Sequence, residues 1–318
     1  MRFVAGLLAA SVLAVACGQE ARTAPSPEAP PPSSAAPTVV PEPTPTLLPS
    51  PSVSPVPPQE KAFVPRPNAA LPRSADRLAR ALAKVTRALR TSVTRWIRDG
   101  DINDRPPRRV VLQALYQQRI YRVLMRDERL ARRTFANLPA RFRPGARANV
   151  AAGSRLLSLV TPISRPTTFK TGPAKPAGTL LRWFREAERR FDVAWEVLAA
   201  VMYVESKFGK VKSTSTAGAQ GPMQFLPSTW EQYGMGGDIQ DPHDAILGAA
   251  NYLHASGAPG DYRRALFAYN RSMAYVDAVL IHANEIRKDR RNYFIYYNWQ
   301  VFVVTTKGDK RLTGPDLD

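Results

Sequence analysis

One uninterrupted apolar run limits the folds open to this chain more than any other stretch. Eight apolar residues, Val197 to Val204, end directly in the carboxylate Glu205. On an α-helix Glu205 lies above Val201 and Met202, so its side chain shares the apolar face. A carboxylate held there is desolvated, which raises its pKa toward the range where it can hold and transfer a proton. The sequence therefore predicts a buried helix that ends in a candidate general acid.

The residues after this helix predict a loop that can lie close to a ligand. Gly209 can adopt the left-handed conformation that ends a helix. The segment from Ser213 to Gly221 is rich in small residues, whose bare backbone can approach a ligand closely. On its burial pattern alone, a lone glutamate at a helix end is more often structural than catalytic. The case for an active site therefore depends on the motifs around it.

Three motifs follow one another in a fixed order. They are E-S-K-F-G from Glu205, A-G-A-Q-G-P-M-Q-F-L-P-S-T-W from Ala217, and A-L-F-A-Y-N, which ends at Asn270. Together they closely resemble the lytic transglycosylases of bacterial cell walls, in the membrane-bound and soluble families that carry a lysozyme-like fold. The resemblance covers roughly residues 179–288 and implies a mainly α, lysozyme-like catalytic domain.

The resemblance also implies a reaction that uses one acid. In this family a single glutamate, here Glu205, protonates the glycosidic oxygen between N-acetylmuramic acid and N-acetylglucosamine. The acetamido group of the substrate assists departure of the leaving group. The same glutamate then takes the proton of the muramoyl C6 hydroxyl, which closes a 1,6-anhydro ring. No water attacks, so neither a second carboxylate nor a cofactor is expected.

Substrate contacts are implied by the same resemblance. Ser206 would orient Glu205 or contact the acetamido group, Tyr269 would lie near the acid, and Asn270 would lie near the acetamido group. The other expected glycan contacts are the amides Gln220 and Gln224 and the apolar groove walls Met223 and Phe225. Each of these residues also has an ordinary structural interpretation, as a cap, a loop amide or a core side chain.

A second carboxylate would point to a different mechanism, because most glycosidases use two. Capping and the helix dipole account for the acids expected at helix starts, which are Glu231, Asp241, Asp244 and Asp261. Three further acids fall on helices with arginines nearby and are expected at the surface: Glu186, Glu188 and Glu196. Asp238, in a glycine-rich turn, has no such role, although turns often contain aspartate. If it faced Glu205, a hydrolase of the goose-lysozyme type or a chitinase would be favoured. A further alternative is a wall-binding lipoprotein whose domain grips glycan without cleaving it.

The N-terminus has the features of an export signal. Arg2 precedes the apolar run from Phe3 to Ala16, and the chain's one cysteine, Cys17, follows directly. This order resembles a bacterial lipoprotein processing site, where two or more acyl chains on the cysteine anchor a protein stably. We therefore expect an exported chain, lipid-anchored through Cys17 to the outer face of the cytoplasmic membrane or the cell envelope. Without lipidation the chain would be secreted.

Composition suggests how the chain is divided. Between Gln19 and Pro67 lie 16 of the 30 prolines, and such a segment cannot bury enough apolar surface to fold. Aromatic and β-branched residues from Tyr293 to Thr305 predict a strand or hairpin. The expected parts are a signal peptide with Cys17 (1–17), a disordered proline-rich tether (18–72), a basic α-helical segment (73–160), a linker (161–178), the catalytic domain (179–290) and a C-terminal strand or hairpin extension (291–318).

The net charge of +19 predicts an anionic partner. From Arg73 to Val150 there are 20 basic and 6 acidic residues, a difference of +14. A solvated helix face accounts for many arginines, and an anionic wall polymer or membrane headgroups are the alternative. Nucleic acid is not expected, since no recognition motif for it occurs.

No metal site is expected, because the three histidines lack ligand spacing and are predicted to be at the surface or partly packed.

Overall fold

The computed structural model of the chain describes residues 63–164 and 169–317. The predicted signal peptide, Cys17 and the tether as far as residue 62 lie outside these ranges. The described residues form helices throughout and a single two-stranded antiparallel sheet near the C-terminus. The predicted mainly α fold class is therefore confirmed.

The described part of the chain contains eleven α-helices, one short 3₁₀ helix (Ala140–Phe142) and two strands. The helices are α1 (Ala75–Asp99), α2 (Arg108–Leu124), α3 (Glu128–Asn137), α4 (Arg143–Ser158), α5 (Ala177–Phe191), α6 (Trp195–Ser206), α7 (Pro227–Tyr233), α8 (Pro242–Ala255), α9 (Tyr262–Tyr269), α10 (Met273–Lys288) and α11 (Arg291–Tyr297). The strands are β1 (Phe302–Thr305) and β2 (Gly308–Arg311), with Phe302 opposite Arg311. None of the helices in the described ranges has both the length and the apolar character needed to cross a membrane.

Helix α6 lies inside the fold and carries the apolar run. All its residues are buried except Glu196 in its first turn. Helices α5, α8, α10 and α11 all contact it. A helix enclosed on several sides has no solvent face, so it tolerates a run of apolar residues without the polar positions of a surface helix. The predicted buried helix is present, and it delivers Glu205 to the interior.

The basic helical segment packs directly on the region that contains α6. Helix α4 lies along α10, and α1 contacts α11. The rings of Trp96 and Phe294 meet edge to face with centroids 5.3 Å apart. The side chain of Gln118 donates to Gln300 O at 2.9 Å and accepts from Gln300 N at 2.8 Å. Because of these contacts, the described residues cluster as one compact unit.

The C-terminal hairpin is confirmed, but the aromatic stretch before it is not a strand. Residues 291–297 form α11. Phe294, Tyr293 and Tyr297 fall at helical spacing, and all three are buried against the core. The strand preference of aromatic residues depends on their packing, and here the helix buries all five consecutive residues from Tyr293 to Tyr297, which outweighs that preference. The hairpin begins later, at Phe302.

Candidate active site

Glu205 stands in the last turn of α6 and is only 6% exposed. The hydroxyl of Tyr275, on α10, donates a hydrogen bond to its Oε1 at 2.7 Å. The other oxygen, Oε2, is buried and has no hydrogen-bond partner among the described residues. A carboxylate with one unsatisfied buried oxygen is costly to ionise, so this environment favours the protonated acid.

The electrostatic surroundings of Glu205 match the state that a general acid needs. Burial raises the pKa of Glu205 to about 8. The hydrogen bond from Tyr275 and the positive charge of Lys207 lower this pKa, but by less than burial raises it. The carboxyl is therefore mostly protonated at neutral pH, and it has a proton to give.

The backbone turns sharply just after this acid. Lys207, Phe208 and Gly209 have φ angles of 53°, 61° and 78°. The left-handed turn therefore begins two residues before the predicted glycine, at residues whose side chains disfavour it. Backbone strain of this kind persists where surrounding contacts hold it, often at functional sites.

Ser206 ties the end of α6 to the loop of small residues. Its fully buried hydroxyl donates to Pro222 O and accepts from Gly209 N, the latter at 2.8 Å. It makes no hydrogen bond to Glu205 in the structure. In this geometry Ser206 positions the loop against the helix end, while a contact with the acetamido group of a substrate stays a prediction.

The loop itself is closed by short backbone contacts. Gln220 N donates to Phe225 O at 2.8 Å, and Phe225 N donates to Gln220 O at 2.9 Å. The side-chain amide of Gln224 donates to Gly221 O at 2.9 Å. At Gly221, with φ of 72°, a Cβ would lie 1.9 Å from Ile239 O, so only glycine fits. The loop is therefore held in one conformation beside the acid.

Tyr269 joins this loop to the end of α9. Its hydroxyl donates to Met223 O at 2.7 Å, and its ring packs against that of Phe225 with centroids 5.6 Å apart. Met223 and Phe225 are both buried. Burial, and to a smaller extent the charge of Glu205, raise the pKa of Tyr269 well above its ordinary value. Tyr269 is therefore within electrostatic reach of the acid.

Asn270 presents an amide that is free to bind. The residue is 5% exposed, and within the described part of the chain its side chain makes no hydrogen bond. It lines a cavity together with Tyr275. The Gln220 side chain accepts a weak hydrogen bond from Gln240 at 3.4 Å. The structure thus collects the predicted residues around one loop, and their glycan contacts stay predictions.

Two residues of the site escape prediction from the sequence. Tyr275, the direct partner of Glu205, stands on the buried face of α10, where its spacing indicates only core packing. Lys207 lies within the E-S-K-F-G motif, but neither the resemblance nor its spacing predicts a role for it. A hydrogen bond between residues 70 positions apart becomes visible only when α10 packs on α6.

His282 corrects the expectation for the histidines. It is 1% exposed, between the rings of Tyr203 and Tyr296, whose centroids lie 4.8 Å and 5.0 Å from its own. Burial lowers its pKa to about 3, so it is neutral. The position faces the core because α10 packs along both α4 and α6. Within the described ranges, no three His, Cys, Asp or Glu side chains group closely enough to hold a metal ion.

Comparison with known families identifies the part of the chain that carries this geometry. Residues 182–290 match the family model described as the transglycosylase SLT domain. The match begins within α5 and ends just before α11, so it contains Glu205, the loop and the Tyr269–Asn270 pair. No solved structure matches the chain.

Proposed function

We propose that this chain, whose residues 182–290 form a transglycosylase SLT domain, is a lytic transglycosylase that leaves 1,6-anhydromuramoyl ends on peptidoglycan. The family assignment supports a transglycosylase that acts on peptidoglycan. The finer proposal, cleavage between N-acetylmuramic acid and N-acetylglucosamine by one glutamate, is carried by the buried Glu205 with its pKa of about 8.

In the proposed reaction Glu205 serves twice. Its proton goes to the glycosidic oxygen as the bond to the muramoyl C1 breaks. The muramoyl C6 oxygen then bonds to C1, and its proton returns to the Glu205 carboxylate. The hydrogen bond from Tyr275 stabilises that carboxylate between the two steps. General acid–base catalysis contributes about 10²–10⁴-fold, so the loop and Asn270 must supply positioning as well.

The surroundings of the other acids favour a mechanism with one carboxylate. Asp238 accepts a hydrogen bond from Gln240 N at 2.8 Å, inside its own turn. Asp241 caps α8, and Asp261 caps α9 by accepting from Arg264 N at 3.0 Å. These carboxylates stabilise turns and helix starts, which supports Glu205 as the single acid.

Product analysis tests the proposal. Wall glycan is digested with the unaltered protein, with Glu205→Gln and with Glu196→Gln, and the products are analysed by mass spectrometry. Glu196 is the matched control, because it is the one residue of α6 that is not buried. We expect anhydromuramoyl ends from the unaltered protein and the control, and a loss of at least about 100-fold for Glu205→Gln.

Two other outcomes would favour the alternatives. Reducing muramoyl ends would indicate a hydrolase of the goose-lysozyme type, with water as nucleophile. Wall turnover that is unchanged by Glu205→Gln would indicate a wall-binding protein without catalysis. Either result would contradict the proposed reaction.

A groove on the basic helical segment favours an anionic wall polymer as a second partner. Its volume is about 540 Å³, and six arginines line it: Arg87, Arg90, Arg95, Arg98, Arg141 and Arg291. Asp289 pairs with two of them, and Asp99 pairs with one. Arg87, Arg95 and Arg141 have no carboxylate partner within the described ranges. Such an excess of cations in a concave site attracts polyanions.

Charge removal in the groove tests this partner. The triple variant Arg87→Gln/Arg95→Gln/Arg141→Gln should lose retention on a phosphate-bearing wall polymer and elute at lower salt. The control is Arg105→Gln/Arg129→Gln/Arg133→Gln, which removes three exposed arginines of the same segment outside the groove. Equal elution of the two variants would show that net charge alone, rather than the groove, determines retention. Retention on anionic vesicles instead of polymer would identify headgroups as the ligand.

Export and lipid anchoring through Cys17 belong to the same proposal and rest on the order of residues at the N-terminus. Cells that express the full chain are labelled with a fatty acid, alongside cells that express Cys17→Ser. We expect label only on the unaltered protein, and release of the variant from the membrane fraction. Label on both proteins, or on neither, would contradict anchoring at Cys17.

A further inference from the structure

Several separate parts of the chain build a cavity beside the candidate active site, which we call the side cavity. Its volume is about 190 Å³. Helix α2 contributes Arg122 and Arg126, strand β1 contributes Phe302, and α4 contributes leucines. These elements lie outside residues 182–290, so the matched domain provides only part of the wall.

The side cavity borders the residues that hold the catalytic acid. Its lining includes Tyr275, whose hydroxyl is bonded to Glu205, and Val204, which directly precedes the acid. It also includes Asn270, whose side-chain amide has no partner among the described residues. A group bound in the side cavity would therefore be attached close to the bond that Glu205 protonates.

Lys207 lines the side cavity as a cation without a counter-ion. Its ammonium donates to Tyr203 O at 3.0 Å and lies 4.3 Å from the centre of the Tyr203 ring. No carboxylate of the described chain lies within ion-pair distance of it. Burial, followed by the charge of Arg122, lowers the pKa of Lys207 to about 8. Lys207 is only partly buried, and the nearby charge of Glu205 opposes the lowering of its pKa without forming an ion pair with it. A carboxylate bound in the side cavity would give this ammonium the ion-pair partner that it lacks.

The charge around the side cavity is positive on balance. Arg122 binds Asp309 through two hydrogen bonds of 2.7 Å, and Arg126 binds the same carboxylate. Within the described ranges, Asp309 therefore pairs with two of the three cations that line the side cavity, and Lys207 has no such partner. The remaining wall is largely apolar, from Leu156, Leu157, Leu159, Val160, Phe302 and Val304. This lining suits a ligand that carries a carboxylate attached to an aliphatic group.

The size of the side cavity indicates part of a larger ligand. Sites for whole small molecules usually measure about 300–1,000 Å³. A space of about 190 Å³ therefore fits a side arm of a substrate whose main body lies elsewhere. In peptidoglycan the side arm is the peptide on the muramoyl lactyl group, which carries carboxylates and aliphatic side chains.

We propose that the side cavity binds the peptide arm of the muramoyl residue at the cleavage site, and that Lys207 pairs with a carboxylate of this peptide. This inference rests on the proposed function, because it takes peptidoglycan as the substrate. It assigns the basic segment and the C-terminal hairpin a role in choosing among wall glycans. Lys207, on this proposal, is a residue that determines specificity.

A binding experiment on the full chain tests the pairing. The Glu205→Gln protein, which blocks turnover, is titrated with an N-acetylmuramoyl peptide whose carboxylates are free, and with the same peptide fully amidated. We expect the free form to bind about tenfold more tightly, which corresponds to about 1.4 kcal/mol. Adding Lys207→Met should abolish this preference. Met matches the length of Lys and bears the same backbone strain, so the comparison isolates the charge.

A matched control and further variants of Lys207 separate the effect of its charge from effects of net charge and of misfolding. Lys310→Met removes an exposed lysine of β2 that does not line the cavity, and it should keep the preference. Lys207→Arg keeps the charge and should keep most of the preference. If Lys207→Met does not fold, Lys207→Gln makes the same comparison. No preference in the Glu205→Gln protein, or a preference that survives loss of the Lys207 charge, would overturn the proposal.

Turnover separates this inference from the proposed reaction. The ratio of kcat/KM for wall glycan with free and with amidated peptides should fall to about one in Lys207→Met. Any effect of the lost charge on Glu205 is common to both substrates and cancels in the ratio. Anhydromuramoyl products with an unchanged ratio would overturn the side-cavity proposal alone. Absence of those products, with the binding preference intact, would overturn the proposed reaction alone.

Discussion

At the scale of single residues, the Glu205 carboxyl is subject to opposing influences. Burial favours its protonated form, whereas the Tyr275 hydroxyl and the Lys207 ammonium favour the carboxylate. In the proposed reaction Glu205 first gives and then regains a proton, so both forms must be accessible. The hydrogen bond from Tyr275 keeps the ionised form from becoming too costly.

The pH dependence of the rate follows from this arrangement. Since the protonated form of Glu205 is the acid in the proposed reaction, kcat/KM should be maintained below a pH of about 8 and should fall as the pH rises through that value. In Tyr275→Phe the carboxylate loses a hydrogen bond, so the pKa rises and the alkaline limb moves to higher pH. Rate profiles of both proteins measure the shift.

Tyr297→Phe provides the control for this prediction. It removes a hydroxyl that donates to Lys175 O, and Glu205 is not its partner. We expect its kcat/KM to fall over the same alkaline pH range as that of the unaltered protein. If kcat/KM of Tyr275→Phe also falls over this same range, Tyr275 does not affect the pKa of Glu205.

Glu205 should also make stability depend on pH. Its folded pKa of about 8 exceeds the ordinary value of 4.5, so the folded state binds more protons between these values. The free energy of unfolding therefore falls as the pH rises from about 4.5 to about 8. Glu205→Gln removes this loss and should be more stable than the unaltered protein at pH 8, on the order of 1–3 kcal/mol.

Denaturant unfolding at pH 5 and pH 8 measures this difference. The free energy of unfolding of Glu205→Gln should exceed that of the unaltered protein by more at pH 8 than at pH 5. The surface variant Glu196→Gln should show the same difference from the unaltered protein at both pH values. A gain for Glu205→Gln that is independent of pH would mean that packing, and not ionisation, is its cause.

At the scale of elements, the end of α6 and the loop after it form one rigid unit. Ser206 bonds to both sides of the turn, and Gly221 lies against the backbone at Ile239. Two glycines of this loop have positive φ, 86° at Gly218 and 72° at Gly221, but only Gly221 is close to other atoms. Substitutions at these two glycines therefore separate the cost of a strained backbone from the cost of close approach to other atoms.

Gly221→Ala should be much more damaging than Gly218→Ala. Both changes place alanine in the left-handed region, which costs roughly 1–2 kcal/mol. At Gly221 the new Cβ would also meet Ile239 O at 1.9 Å, whereas nothing lies within 4 Å at Gly218. We expect about 1–3 kcal/mol of additional destabilisation at Gly221, with loss of activity. Thermal unfolding of the two variants measures the difference, and equal midpoints would contradict the close approach.

At the scale of the whole molecule, the matched domain does not stand alone. Helix α4 covers α10, which carries Tyr275, and α2 is bonded through Gln118 to the chain before the hairpin. Elements outside residues 182–290 thus support α10, whose Tyr275 bonds to Glu205, and form part of the side cavity.

Gln118→Met tests this support. The change leaves Gln300 N and O without their buried partner, and each unsatisfied group costs about 1–3 kcal/mol. We expect a loss of about 2–4 kcal/mol in the free energy of unfolding, measured in urea, with a single transition if the unit is cooperative. Gln232→Met, at an exposed position, should have little effect. A separate early transition would show instead that the basic segment unfolds independently.

Local patterns were sufficient to predict much of the fold. The apolar run of α6, the caps Asp241 and Asp261, and the final hairpin follow from residues near one another in sequence. The strand expected at α11 was wrong because burial of five consecutive residues in the helix outweighed a weak strand preference. The position of His282 was wrong because two neighbouring helices cover it.

The sequence by itself determined that a carboxylate would close a buried helix and be followed by a loop of small residues, because both are properties of adjacent side chains. Only the tertiary structure decided which groups meet that carboxylate. Tyr275 reaches Glu205 across 70 residues, and Lys207 faces a cavity whose wall includes helices and a strand outside the matched domain. Such contacts depend on how whole elements pack, and packing is set by the sum of many distant side chains, so no local pattern encodes them.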